Sequence, residues 1–204
     1  VGAFTTVNGI TPVSQGGDSI AGTVIAESPP PEFAAPGETI HVSSEIAGFY
    51  RSNNDNYTTS IGTTVANETY SVNYTASFST AGNYNGGGGD GEMPSSEYRA
   101  FNQMVTGAAR GTDDMITLQF GHQYIPYQGY PNQYMDMIDN RSYFGNAAYE
   151  RSFGWGQLST RVFIQTVDHE MNFLNDKGGT DNGEGGMPML TDALNVGYRI
   201  AAKI

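Results

Sequence analysis

The sequence predicts an all-β protein whose larger part is an antiparallel transmembrane β-barrel portion of about eight strands. The first observation is alternation: between Tyr70 and Ser79, apolar residues and small polar residues follow each other with a period of two. This period places alternate side chains on opposite faces of a strand, one apolar and one polar. The second observation is that tight turns and long loops alternate along the chain, as they do in membrane barrels.

The alternation divides most of the chain into strands. The predicted strands are residues 39–51, 57–66, 69–82, 97–110, 114–125, 141–152, 157–172 and 193–204. Long loops are predicted at 83–96, 126–140 and 173–192, and tight turns follow the second, fourth and sixth strands. The short first connection, Asn53–Asn56, is the exception. A soluble β-sandwich gives no reason for loops to be sorted in this way, so the barrel is favoured.

Each strand is expected to turn its apolar side to lipid and its polar side to the barrel lumen. The reason is that Arg or Lys at the lipid midplane costs about 2–4 kcal/mol. Residues expected on the lipid side are Tyr70, Val72, Tyr74, Phe78, Leu194, Val196, Tyr198 and Ile200. Residues expected on the lumen side are Asn73, Thr75, Arg161, Arg199 and Lys203.

Composition restricts the classes of protein further. The chain has 204 residues and no cysteine, so disulfides and thiolate metal sites within it are excluded. Its formal net charge of -12 argues against nucleic acid as a partner, because nucleic-acid binding needs a basic surface. No run of about 18 apolar residues is present, which excludes a transmembrane helix, but a membrane-spanning strand needs only about 9–11 residues.

The first 38 residues form a separate element. A Gly-rich turn leads into a short apolar strand, and the sequence Ser28-Pro29-Pro30-Pro31 then interrupts regular structure. The stretch Pro12–Thr23 resembles the last part of the plug domain in TonB-dependent receptors. We therefore interpret residues 1–38 as the C-terminal end of a plug domain with its linker. Residues 39–204 are interpreted as the first strands of the outer-membrane β-barrel.

Other stretches are similar to the early barrel of the branch of this family that includes the TonB-dependent copper receptors. They are Ile125–Gln133, Met135–Met137, Asp139–Arg141, Val167–Phe173 and Met187–Met189. The resemblance implies uptake of a small ligand, copper above all, across the Gram-negative outer membrane. It also implies the inner-membrane TonB complex and outer-membrane lipid as partners. The chain is then expected to be a piece of a receptor, whose TonB box and most of whose plug lie outside it.

His169 and Met171 are the predicted metal ligands. They are two residues apart on a strand and so share a face with Arg161 and Gln165, which we expect to be the lumen face. An imidazole and a thioether together suit copper, especially Cu(I). In the copper receptors, as the resemblance implies, a His-x-Met pair on the barrel binds copper with a Cys and a Met of the plug. The alternative is that His169 hydrogen-bonds its neighbours and Met171 packs on the plug.

Four further methionines, Met135, Met137, Met187 and Met189, are placed by the strand prediction in two long loops. There they are able to pass a soft metal inward. The alternative is that they fill gaps between other side chains, which is the ordinary role of methionine.

No arrangement of catalytic residues is found. The chain has three histidines, and no serine or carboxylate pair lies in a convincing nucleophile or acid–base context. We therefore expect no enzyme and no catalytic cofactor, with a copper ion only as the transported ligand. Two alternatives stay open. One is a TonB-dependent receptor for a siderophore or another small molecule, and the other is a stand-alone eight-stranded barrel with a structural or adhesive role.

Overall fold

The computed structural model of the chain describes residues 3–8, 22–179 and 186–204, which form two antiparallel sheets. The smaller sheet pairs β1 (Ala3–Asn8) with β2 (Gly22–Glu27). The strands of the larger sheet are β3 (His41–Arg51), β4 (Asn56–Ala66), β5 (Tyr70–Ala81), β6 (Tyr98–Arg110), β7 (Asp114–Gln128), β8 (Asp136–Phe153), β9 (Gly156–Asn172) and β10 (Met189–Lys203). Within the described ranges, no helix is long and apolar enough to cross a membrane.

All eight strands predicted from the alternation are present, so the predicted antiparallel all-β fold is confirmed. The predicted loop 126–140 is wrong in its extent, since β7 continues to Gln128 and β8 already begins at Asp136. A register shift between Met137 and Asp139 breaks the period of two at this point, which hid the start of β8. The first ten positions of the plug-like stretch Pro12–Thr23, residues 12–21, lie outside the described residues.

The larger sheet is a meander in which each strand pairs with the next one in the chain. Its edges are β3 and β10, which are not hydrogen-bonded to each other in the described sheet. The connections 67–69, 111–113 and 154–155 lie at one end of the sheet, called the turn end. The connections 52–55, 82–97 and 129–135 lie at the opposite end, called the loop end, together with residues 173–179 and 186–188.

The pairing register assigns each strand residue to one of two faces, because residues paired directly across strands point to the same side. One cross-strand row on the apolar face consists of Tyr74, Val105, Phe120, Gly145, Ile164 and Val196. The residues predicted to face lipid all lie on this face. Many of them are exposed: Phe120 retains 58% of its accessible surface and Leu194 retains 68%. A continuous exposed apolar surface of this size indicates contact with a membrane or a partner.

The opposite, polar face carries amides and hydroxyls, together with some of the basic side chains. Arg161 pairs directly with Arg199 there, and Asn73, Thr75 and Lys203 share this face as predicted. Side chains hydrogen-bond across the strands: Gln123 Nε2 donates to Asn102 Oδ1 at 2.8 Å, and Asn146 Nδ2 donates to Gln119 Oε1 at 2.9 Å. The predicted division of residues between two faces is therefore confirmed.

The leading segment, residues 28–38, is bound to the polar face of the larger sheet. Gln119 Nε2 donates to Ser28 Oγ at 3.3 Å. Nearer the turn end, the guanidinium of Arg110 lies 4.3 Å from the centre of the Phe33 ring, and its Nη2 donates to the carbonyl of Ala34. These contacts fix the path of the chain just before β3. The division into domains at residue 38 stays a prediction.

Candidate metal-binding site

His169 lies on the polar face of β9, near the loop end. It pairs with Asn140 of β8 and with Thr191 of β10. Its Nδ1 lies 3.0 Å from Asn140 Oδ1. Because an amide oxygen only accepts hydrogen bonds, Nδ1 carries the proton and donates it. The lone pair of the neutral ring is then on Nε2, and a partner of this kind commonly orients a metal-binding imidazole.

Met171 stands in the middle of a row of three methionines. It pairs with Met137 of β8 on one side and with Met189 of β10 on the other. We call Met137, Met171 and Met189 the methionine row. The prediction that placed Met137 and Met189 in loops was wrong, since both belong to strands. Met135 and Met187 do lie outside the strands, as predicted.

The donors gathered here are chemically soft. One imidazole and three thioethers project from adjacent positions of one sheet face, and such ligands select Cu(I) over hard cations. Within the described ranges, no group of three or more His, Cys, Asp or Glu side chains that could hold a metal ion is found. A soft ion would suit these four donors better than a hard one. Metal binding by His169 and Met171 stays a prediction.

A buried carboxylate occupies the strand position directly before Met137, on the opposite face of the sheet from the methionine row. Asp136 is fully buried, and its two oxygens accept four hydrogen bonds. Oδ1 accepts from Lys177 Nζ at 2.7 Å and from the Tyr130 amide at 2.8 Å. Oδ2 accepts from Ser95 Oγ and from the Leu174 amide, both at 3.2 Å. We call these five residues the loop clamp, because they join three of the loops at the loop end.

The neighbouring Asp176 ties the same loops together a second time. Its Oδ2 accepts from the amide of Ser95 at 2.8 Å and from Asn83 Nδ2 at 2.9 Å. These two donors hold the pKa of Asp176 below its usual value. The nearby Glu97 shows the opposite effect: burial, followed by the charges of Asp176 and Asp136, raises its pKa. The network thus favours the ionised form of Asp176 and disfavours the ionised form of Glu97.

The close packing of two loops in the clamp leads to a prediction about Gly129. A Cβ atom at this position would clash with the backbone of Ser95, which cannot move without shifting the whole loop 82–97. Gly129→Ala is therefore expected to loosen the loops and to raise their rate of cleavage in limited proteolysis. Gly107→Ala is the control, because a Cβ there meets nothing within 4 Å. Equal cleavage rates for the two variants would contradict the packing described here.

Asn140 and Asp136 are the two residues of this region that sequence reasoning missed. Both fall in the predicted loop 126–140, where the register shift had removed the period of two. A polar cluster, Asp136, Asp139 and Asn140, was visible in the sequence. Its meaning depends on which loops approach it, and no local pattern gives that information.

Comparison with known proteins gives one informative result. No protein-family model and no curated protein sequence matches the chain. Among solved structures, the chain is similar to the copper transporter OprC, with a TM-score of 0.81 and 21% sequence identity. The similarity covers 98% of this chain and 31% of that transporter's chain. At this level of identity the likeness establishes the fold, and the predicted fold class is confirmed.

Proposed function

We propose that the chain is the end of the plug and the first barrel strands of a TonB-dependent outer-membrane transporter. Its favoured cargo is copper. The observation that carries this proposal is the shared fold with a copper transporter over 98% of the chain. The proposed partners are the inner-membrane TonB complex, through parts of the protein outside this chain, and outer-membrane lipid. The proposed role is transport, not catalysis.

The shape of the apolar face supports a place in a membrane. At the loop end, its aromatic boundary lies at Tyr50 and Tyr57 on β3 and β4, whose rings are 4.9 Å apart. On β8 the boundary is Tyr143, which lies in the same cross-strand row as Ile61 of β4. Because Ile61 is nearer the turn end than Tyr57, the boundary on β8 is nearer the turn end than the boundary on β4. A band that shifts steadily across the sheet is expected when barrel strands are tilted by about 35–45°.

The height of the band supports the same conclusion. Along β5 it extends from Tyr70 to Phe78, which is about 27 Å of strand at about 3.4 Å per residue. With the tilt of a barrel strand this corresponds to a band of roughly 20 Å, close to the apolar height of outer-membrane barrels of about 25 Å. Stacked Phe153 and Trp155, with ring centres 5.1 Å apart, lie beyond it at the turn end. Aromatic side chains at both limits are typical of membrane–water interfaces.

Copper is favoured over other cargoes because of the donors at the loop end. His169 and the methionine row offer one nitrogen and three sulfur atoms on the side of the sheet that would line the barrel. No carboxylate is part of this donor set, and a harder ion such as Fe³⁺ would prefer oxygen ligands.

A siderophore or another anionic ligand is the second candidate, and one observation favours it. Arg161 and Arg199 are paired directly across β9 and β10 on the polar face. Two neighbouring guanidinium groups concentrate positive charge on this face, which would attract an anionic ligand. The third alternative, a stand-alone eight-stranded barrel, requires β3 to pair with β10, and these strands are unpaired edges of the described sheet.

Uptake measurements separate the first two candidates. Cells that make the full-length protein are expected to accumulate more copper than cells that lack it, and only while the TonB complex is functional. Copper content is measured by elemental analysis, with ferric siderophore uptake measured in parallel. Unchanged copper content together with increased siderophore uptake would overturn the copper assignment in favour of the second candidate.

A further inference from the structure

We infer that Asp136 is a positioning residue for the metal ligands. Through the loop clamp, it keeps Met137 and Met171 side by side. The inference rests on the proposed role of His169 and Met171 in binding copper. Asp136 itself is not a ligand, since Lys177, Ser95 and two backbone amides use both of its oxygens.

The first step of the argument is position. Asp136 pairs with Asn172 across β8 and β9, and the adjacent residue Met137 pairs with Met171. Adjacent strand residues point to opposite faces, so the carboxylate acts on the two methionines through the backbone at the start of β8. A shift of this backbone relative to β9 is expected to separate Met137 from Met171.

The second step is that the strand ladder is short at this point. The register between β8 and β9 shifts between Met137 and Asp139, so the regular pairing is interrupted directly beside the methionine row. Oδ2 of Asp136 accepts from the Leu174 amide, three positions after Met171, and so ties the end of β9 back to the start of β8. Beyond the shift the ladder between β8 and β9 contains only the pairs Met137–Met171 and Asp136–Asn172, and the hydrogen bond from the Leu174 amide to Asp136 adds a further link there.

The third step is the link between the loops at the start of β8. Lys177 Nζ donates to Asp136 and also to the carbonyls of Tyr130 and Gln133, at 2.9 and 3.0 Å. Lys177 therefore binds the segment after β9 to the loop 129–135. Met137, the strand position directly after Asp136, is only 8% exposed. If the loop clamp holds the start of β8 in place, its loss is expected to expose Met137.

The test uses the full-length protein with Asp136→Asn and, separately, Lys177→Met. The second variant leaves the buried carboxylate with its amide donors and covers the case in which the first fails to fold. Controls are Glu45→Gln and Lys203→Met, which remove the same charges elsewhere on the polar face. The oxidation rate of Met137 by hydrogen peroxide is followed by peptide mass spectrometry. Cu(I) affinity is measured by competition with a chelator, and X-ray absorption counts the sulfur ligands per copper ion.

We expect Met137 to be oxidised several times faster in both clamp variants than in the wild type and the controls. Copper affinity should fall by about 10–100-fold, the range found when supporting residues of metal sites are removed. Fewer sulfur ligands per copper should accompany this loss, while heat-modifiable gel mobility shows a folded barrel. A purely structural role would not change the sulfur count.

Two results would overturn the inference. One is an unchanged oxidation rate of Met137 in both folded variants. The other is faster oxidation with unchanged affinity and sulfur count. Failure of the proposed function looks different, because the wild-type protein would then bind no more copper than a His169→Ala/Met171→Ala protein. The Met137 oxidation rates would still decide in that case whether Asp136 fixes the methionine row.

Discussion

Val196→Lys is expected to prevent assembly of the barrel in the outer membrane. Val196 is 61% exposed and lies on the apolar face, in one cross-strand row with Phe120 and Ile164. A lysine on the lipid face of a barrel costs up to about 2–4 kcal/mol, which is a large part of the stability of a typical protein. The measurements are the yield of folded protein in outer-membrane fractions and heat-modifiable gel mobility.

Asn195→Lys is the matched control, because Asn195 is the adjacent residue and lies on the polar face. The same charge placed there is expected to be tolerated. The comparison depends only on which face a residue occupies, since position along the strand and the size of the new side chain are nearly equal. If both variants assembled equally well, the apolar face would not be in contact with lipid.

The double variant His169→Ala/Met171→Ala is expected to lose copper binding and to keep its fold. It removes the only imidazole of the site and the central thioether of the methionine row. Removing the hydrogen bond between His169 and Asn140 costs about 1 kcal/mol, which leaves the barrel folded. The measurement is copper bound per purified full-length protein, with folding checked by gel mobility.

His122→Ala/Met104→Ala is the control for this experiment, since it removes the same two residue types elsewhere. His122 lies on the apolar face, stacked on Tyr143 with ring centres 4.6 Å apart, and Met104 pairs with Gly121 away from the site. The control should keep its copper. Equal copper content in the wild type and a well-folded site variant would disprove the metal site. The transporter fold would then remain without evidence for copper as its cargo.

Most of the fold could be predicted from the sequence because the rule behind it is local. In a strand that separates an apolar from a polar environment, apolar and polar side chains must alternate, as they do in Tyr70–Ser79. This alternation identifies both the strand and its two faces, and in a meander each strand pairs with the next one in the chain. The prediction was wrong where the alternation stops. At the register shift after Met137, a strand continues without its pattern, and the sequence there resembles a loop.

The sequence by itself determined the strands, the two faces and the place of His169 and Met171 on the polar one, because each of these depends on the two-residue period of a single strand. Only the tertiary structure decided the register between strands. That register brings Met137 and Met189 beside Met171, gives His169 its partner Asn140, and lets three loops meet on the buried carboxylate of Asp136. These contacts join residues far apart in the chain, and they depend on cross-strand pairing and loop packing that no local pattern encodes.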